Sequence, residues 1–560
     1  MIKKNNQKTG GRKMGRKRKT QIFMIMIAFV LFLSGCNFNS SESSNEENAA
    51  AEGEAGQVLN ISTTADIPTL DSTKAHDGIA FTVLNNVNEG LYRQDENHEP
   101  IEALVTEHTE SEDQSVHTFT LRDSNWSNGE PVTAQDFEYA WKRVMKDASP
   151  YNFMFVTAGI KNAEAIMNEE MDAEELGVKA IDEKTLEVTL EAANPLFQSL
   201  MTFPTFLPQN QKFVEEQGDQ YALEAENVLF NGPFTLVDWT HEQGWKYEKN
   251  EDYWDADTVQ LDAVNAYVVK DPAAGVNLYE TNKVDRIVLS SEAVDQNKDD
   301  ENFDTILEPE VIFLRFNHNH PVLGNKNIRQ AVNMAIDKES LTDVILKNGS
   351  TALNGIVPSG FFKSPSGEDF RDLNGDFNTG TVEEAQALWE TGLEETGATE
   401  VTVSINIADS EDHKKVAEYI QAQLEDNLPG FKLDIKAVPF AQRLEIEKAV
   451  EYDLSLSSWG PDYSDPMTYL DMWLEGGSAN RMDYTNAKLE ELVSAARTET
   501  DLEARYQMLL DIEKILLEED AAIVPLYQEG AAVLMRSKIK NLLVHPTGAS
   551  FSYKWVTIEE

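Results

Sequence analysis

At 560 residues the chain is longer than one hydrophobic core usually serves, so two or three domains are expected. Its 98 acidic and 47 basic residues give a formal charge of −51; the first 35 residues hold nine Lys/Arg and no acid, so without them the charge would be −51 − 9 = −60. Such a surface repels nucleic acid and anionic lipid headgroups, and a single cysteine, Cys36, excludes an intramolecular disulfide.

Residues 1–20 are basic and polar, and Ile22–Leu33 is an apolar run of twelve. That run is too short for an ordinary membrane span and suits a signal-peptide core. It ends in Leu33–Ser34–Gly35–Cys36, which resembles a lipobox, the bacterial pattern whose cysteine is acylated and becomes the mature N-terminus. Residues 37–56 are rich in Ser, Asn, Glu, Ala and Gly and cannot build a core, so residues 36–56 read as a flexible tether. Acyl chains on Cys36 would hold the protein on a membrane surface, each buried CH₂ contributing about 0.8 kcal/mol.

The soluble body begins near Val58. Val58–Thr63 reads as a strand, Ile79–Asn88 as a helix, and Glu89–Gly90–Leu91–Tyr92 as the turn out of it. In Trp126–Arg143, Asn128–Gly129 marks a turn, Thr133 and Asp136 form a capping box, and Phe137, Trp141 and Val144 share one helical face. Ile328, Ala331, Val332, Ala335 and Ile336 make an amphipathic stripe, with Asp337 ending that helix or capping the next. Val401–Ile407 alternates as a strand does; Lys414–Leu424 and Leu502–Leu517 are amphipathic helices. Asp453–Ser457 alternates again and runs into Trp459, then breaks at Gly460–Pro461, after which Asp465–Pro466 has the form of an N-cap with proline at the first helical position. Strands alternating with helices argue an α/β protein.

Several of these stretches, in order, resemble the peptide-type family of bacterial extracellular solute-binding proteins, which serve ABC importers of oligopeptides, dipeptides and nickel. The stretches are Glu89–Gly90–Leu91, Trp126–Ser127–Asn128–Gly129 with Pro131–Ala134 and Trp141–Arg143, Asn231–Phe234, Asn250–Trp254, Phe316–Asn317, Ile328–Asp337 and Trp459–Tyr463. The resemblance implies a type II periplasmic-binding fold: two α/β lobes joined by a hinge, plus an extra inserted domain. It places lobe I at 57–88, 208–309 and 530–560, the extra domain at 89–207 and lobe II at 310–529. Ligand would lie in the cleft between lobes that close by hinge motion.

It also implies a site. Peptide-binding members hold an extended ligand by its backbone and its ammonium group by an aspartate. The matching aspartate here is Asp462. Ser458 and Gly460 match positions whose main chain pairs with the peptide, Trp459 matches the cleft tryptophan, and Tyr463 belongs to the same motif. Tyr151 matches a tyrosine that reaches the ligand from the extra domain, and His76 and Asp77 lie in a cleft-lining loop. An enclosed ammonium needs a paired acceptor, because either charge buried alone costs several kcal/mol. Some short-peptide binders carry, three residues before the tryptophan, an arginine that can pair with the ligand's C-terminal carboxylate; Leu456 stands there, which favours longer peptides.

Other motifs point nowhere firm. Asp372–Asn378 with Glu383 has EF-hand-like spacing, but Phe377 replaces the glycine of the sharp turn, and Thr381 with Glu384 explains the region as a helix start. His318 and His320 lack further ligands at a known spacing. No protease, hydrolase or nucleotide-binding signature occurs. The expectation is a monomeric, lipid-anchored binding protein with no cofactor and no metal, presenting oligopeptides to a membrane permease. The alternatives are a pheromone, dipeptide or nickel receptor of the same fold and, remotely, a surface peptidase.

Overall fold

The computed structural model describes residues 56–147 and 149–559. The signal segment, Cys36 and the tether therefore lie outside the described residues. One eleven-stranded sheet organises the body. Its strands run in the order Phe431–Val438, Val401–Ala408, Leu454–Trp459, Phe303–Phe316, Ile523–Met535, Arg286–Val288, Val58–Thr63, Ala263–Val268, Gly244–Lys249 and Phe234–Thr240, with Thr351–Ala352 paired to Ile523–Met535.

The two central strands are unusually long, 14 and 13 residues, and antiparallel. Phe303–Leu307 pairs with Leu534–Gly530, and Val311–Arg315 with Gln528–Ile523, with a register shift between Leu307 and Val311. The break falls at Glu308–Pro309–Glu310, where proline has no N–H for the ladder. Each half of the sheet has its own apolar core. Leu59, Phe234, Tyr247 and Val264 lie in one; Leu314, Ile405, Leu433 and Leu454 lie in the other.

A second, four-stranded antiparallel sheet runs Val105–Glu110, Val116–Leu121, Thr185–Thr189, Val178–Ala180. Helix Ala134–Lys146 buries Phe137, Ala140, Trp141 and Val144 in the same core cluster as that sheet's Phe119, Leu186 and Val188. The expected capping box is present. The Asp136 carboxylate accepts from the Thr133 N–H at 2.9 Å and from Trp126 Nε1 at 3.2 Å, and burial pushes its pKa up to about 6.

Motifs distant in sequence turn out to be joined. Asn231 accepts from the Glu89 N–H at 3.0 Å and donates to its carbonyl at 3.1 Å. Glu89 pairs with Arg93 at 3.0 Å and accepts from the Tyr253 hydroxyl. At Gly232 a Cβ would stand 2.5 Å from the Asn88 nitrogen, so only glycine fits that crossing. Arg329 spends its guanidinium on the carbonyls of Leu323, Gly324, Asp520 and Ala521. Asp337 caps the next short helix, its carboxylate accepting from the Ser340 N–H.

Candidate functional site

Strand Leu454–Trp459 pairs along one edge with Phe303–Phe316, from Phe316↔Leu454 to Val311↔Trp459. On its other edge the pairing with Val401–Ala408 stops at Asn406↔Ser455. Among the described residues, 457–460 therefore present one strand edge with no paired strand, the Leu456 carbonyl being taken by Arg443; an edge of this kind accepts an extended chain by β-augmentation. No heavy atom lies within 4 Å of where a Cβ on Gly460 would stand. Trp459 is half-buried against the core, and its Nε1 is buried without a hydrogen-bond partner.

Asp462 follows at the strand end. Its N–H donates to Thr468 Oγ1 at 3.1 Å. Burial first, then the neighbouring Asp471 charge, raise the carboxyl to about 7, while the Tyr151 hydroxyl acts the other way as a hydrogen-bond partner. Tyr151 arrives from the side of the four-stranded sheet. Its ring packs edge-on to Phe81 at 5.2 Å and stacks on Phe203 at 5.0 Å. Burial and the carboxylates of Asp462 and Asp77 push its phenol well above the ordinary range.

Asp77 caps helix Gly78–Val87, Oδ1 accepting from the N–H groups of Ile79 and Ala80 at 3.0 Å each. Its Oδ2 is buried without a partner. Three segments thus bring the carboxylates of Asp462 and Asp77 to the Tyr151 phenol. The same convergence brings Gln94 onto Ser464 Oγ at 3.3 Å and Thr547 Oγ1 at 2.9 Å, so the halves of the molecule meet here.

Two of the expected residues have partners of their own. Tyr463 is buried, and its hydroxyl donates to Asp471 Oδ2 at 3.3 Å, so it backs the turn. His76 is exposed, with Nδ1 3.1 Å from the Lys74 carbonyl. The Asp465–Pro466 reading also needs adjustment. The helix begins at Met467 and spans four residues. Asp465 does accept from the Met467 N–H at 2.9 Å, but its carboxylate is mainly gripped by Arg505.

Arg443, which carried no motif in the sequence, is buried beneath the strand, donating to the Leu456 carbonyl at 2.6 Å and pairing with Glu447 at 2.9 Å. Only its helical spacing to Glu447 could have marked it. The EF-hand-like run is a helix, Phe370–Asn374, followed by the Thr381–Glu384 capping box. His318 faces the Ala522 carbonyl, and His320 accepts from the N–H groups of Val322 and Leu323.

A family model described as bacterial extracellular solute-binding proteins, family 5 Middle, matches residues 99–481. The chain belongs to that family. The dipeptide-binding protein DppE of Bacillus subtilis is 31% identical over 97% of this chain and 99% of its own length. The solved structure of Listeria monocytogenes OppA bound to peptide is 42% identical, with a TM-score of 0.77 over 90% of this chain and all of that one. The pheromone receptor PrgZ is 33% identical at a TM-score of 0.76, again over 90% and all of the two chains. The family-5 architecture is the type II binding fold, two α/β lobes with an inserted domain. These relatives are named as binding proteins and receptors rather than enzymes. Among the described residues, no helix is long and apolar enough to cross a membrane.

Proposed function

We propose that this family-5 protein is an extracytoplasmic receptor that captures oligopeptides in its interlobe cleft and hands them to an ABC importer. One observation carries the reading. Asp462 stands half-buried at the end of a strand edge that no described strand pairs beyond Ser455, with no cation beside it among the described residues. A peptide fits both features at once: its ammonium satisfies the carboxylate, and its main chain extends the sheet without regard to side chains. Asp77 Oδ2 and Trp459 Nε1 supply further unspent polar groups. Tyr151, Ser458, Gly460, Tyr463 and His76 complete the set of ligand-binding residues.

The protein binds without turning its ligand over. Lobe I comprises 57–88, 208–309 and 530–560, the extra domain 89–207, and lobe II 310–529. The lobe boundaries at 309/310 and 529/530 are supported by the register shift of the two crossing strands. Cys36, acylated after removal of residues 1–35, and the tether 36–56 hold one copy at the extracytoplasmic face of the cell membrane, a reading that rests on the sequence pattern.

Calorimetry tests the core of this. Free peptides are expected to bind, and N-acetylated versions to bind on the order of 10–100-fold more weakly, the worth of a charge-assisted hydrogen bond. Equal affinities would end the ammonium–Asp462 pairing. The likeness to PrgZ favours a second reading, a peptide-pheromone receptor with the same cleft. Retention of a single peptide from a mixed library would select it over broad uptake.

A further inference from the structure

On the four-stranded sheet, the hairpin Val105–Glu110/Val116–Leu121 brings together two imidazoles and a carboxylate outside the residues assigned to the peptide site. A β-bulge between Val105 and Glu107 shifts the alternation of the first strand. His108 and Glu110 therefore share the face that bears His117 and Phe119, with Glu110 directly opposite His117. His108 Nε2 lies 3.0 Å from His117 Nδ1. Glu110 Oε1 lies 3.6 Å from His117 Nδ1 and 3.8 Å from His108 Nε2.

Three donors on a tetrahedral metal with bonds of about 2.0–2.2 Å stand roughly 3.3–3.6 Å apart. The observed triangle is already within a few tenths of an ångström of that. The outer nitrogens are held as well. His117 Nε2 faces the Gln114 carbonyl at 3.1 Å, which places its proton there and leaves Nδ1 as a lone pair pointing inward. His108 Nδ1 faces the Gln198 amide at 2.9 Å. Ring packing holds both imidazoles, His108 stacked on Phe119 and His117 tilted against Phe197, each at 4.5 Å. Outer-sphere partners of this kind orient histidine ligands in metal sites. A cavity of about 270 Å³, lined by Glu110, Gln114, His117, Gln198, Thr500 and Leu502, adjoins the triangle and leaves room for a fourth ligand.

We propose that His108, Glu110 and His117 form a binding site for a zinc-class divalent transition metal, with the fourth position open to that cavity. Two nitrogens and one carboxylate oxygen suit Zn²⁺ and its tetrahedral analogue Co²⁺ and do not suit Ca²⁺ or Mg²⁺. To bind, His108 carries its proton on Nδ1, and the Gln198 amide turns so that its oxygen accepts it; neither change displaces a ring. The rival arrangement is a proton-bridged imidazole pair, in which His108 Nε2–H donates to His117 Nδ1.

The test is titration of the tag-free chain with Co²⁺, followed by its visible ligand-field bands, and with Zn²⁺ by calorimetry. One equivalent with tetrahedral bands is expected. His117→Ala should weaken binding at least 100-fold, and Glu110→Gln, a substitution at a partly exposed carboxylate that leaves the fold intact, at least 10-fold. Peptide affinity should be unchanged in both variants. Octahedral spectra, no stoichiometric binding, or Glu110→Gln matching the wild type would overturn the site and leave the proton-bridged pair with adventitious cations on an acidic surface.

Discussion

Arg505 holds Asp465 in a two-pronged ion pair, Nη1 to Oδ2 at 2.7 Å and Nη2 to Oδ1 at 2.9 Å. Asp462, in the same turn, has no cation beside it among the described residues. One carboxylate builds the turn and the other is left for a guest. Arg505→Met is expected to strand the buried Asp465 charge and destabilise the protein by about 3–5 kcal/mol, read as a shift in the urea midpoint.

Asp462→Asn should do the reverse to the ligand-free protein. The folded-state pKa, about 7, lies above the ordinary 3.8. The folded protein thus keeps a proton that the unfolded chain releases, and the group's contribution to stability falls as pH rises from 3.8 to about 7. At pH 8 the Asn variant should be more stable by on the order of 1–3 kcal/mol, and at pH 4 the difference should close. Denaturant midpoints at the two pH values check this; peptide affinity in the same variant should fall on the order of 10–100-fold.

The pH dependence of peptide binding follows from the same group. Affinity should decline below about pH 7 as Asp462 takes up its proton, and again above roughly pH 8 as the peptide amine loses its own. Tyr151→Phe removes a hydroxyl that lowers Asp462, so the acidic limb should move to higher pH. An unchanged limb would show that the phenol does not act on the carboxylate.

Gly460 and Gly232 should separate site from scaffold. Gly460→Ala places its methyl in open space, so the unfolding midpoint should hold within about 0.5 kcal/mol while peptide affinity drops. Gly232→Ala drives a Cβ onto the Asn88 backbone, so stability should fall by about 1–3 kcal/mol or more with peptide affinity retained in the folded fraction. Calorimetry and urea melts on the two variants distinguish the cases.

Local pattern proved legible wherever the cause was local. The Thr133–Asp136 and Thr381–Glu384 boxes are there because each needs only three residues of spacing. Ile328, Ala331 and Val332 are buried on one face of helix Lys326–Met334, as helical periodicity requires, while Ala335 and Ile336 of the same stripe are buried just past its end. Asp337 resolved as a cap for the following helix, a choice the sequence left open. The long matching motifs were informative for a different reason than expected: Glu89, Asn231 and Tyr253 are tied to each other and Arg329 to distant backbone, so they mark the scaffold.

The sequence by itself determined the element types and the anionic surface, because propensity, periodicity and charge are properties of short stretches; the candidate aspartate came from the resemblance of its ordered motifs to the family. Only the tertiary structure decided that Tyr463 turns its hydroxyl to Asp471, that Arg443 lies under Leu456, and that His108, Glu110 and His117 share one face. Those facts depend on strand register, a bulge and the packing of segments far apart in the chain. A one-residue change of register sends a side chain to the opposite face, and no local composition records it.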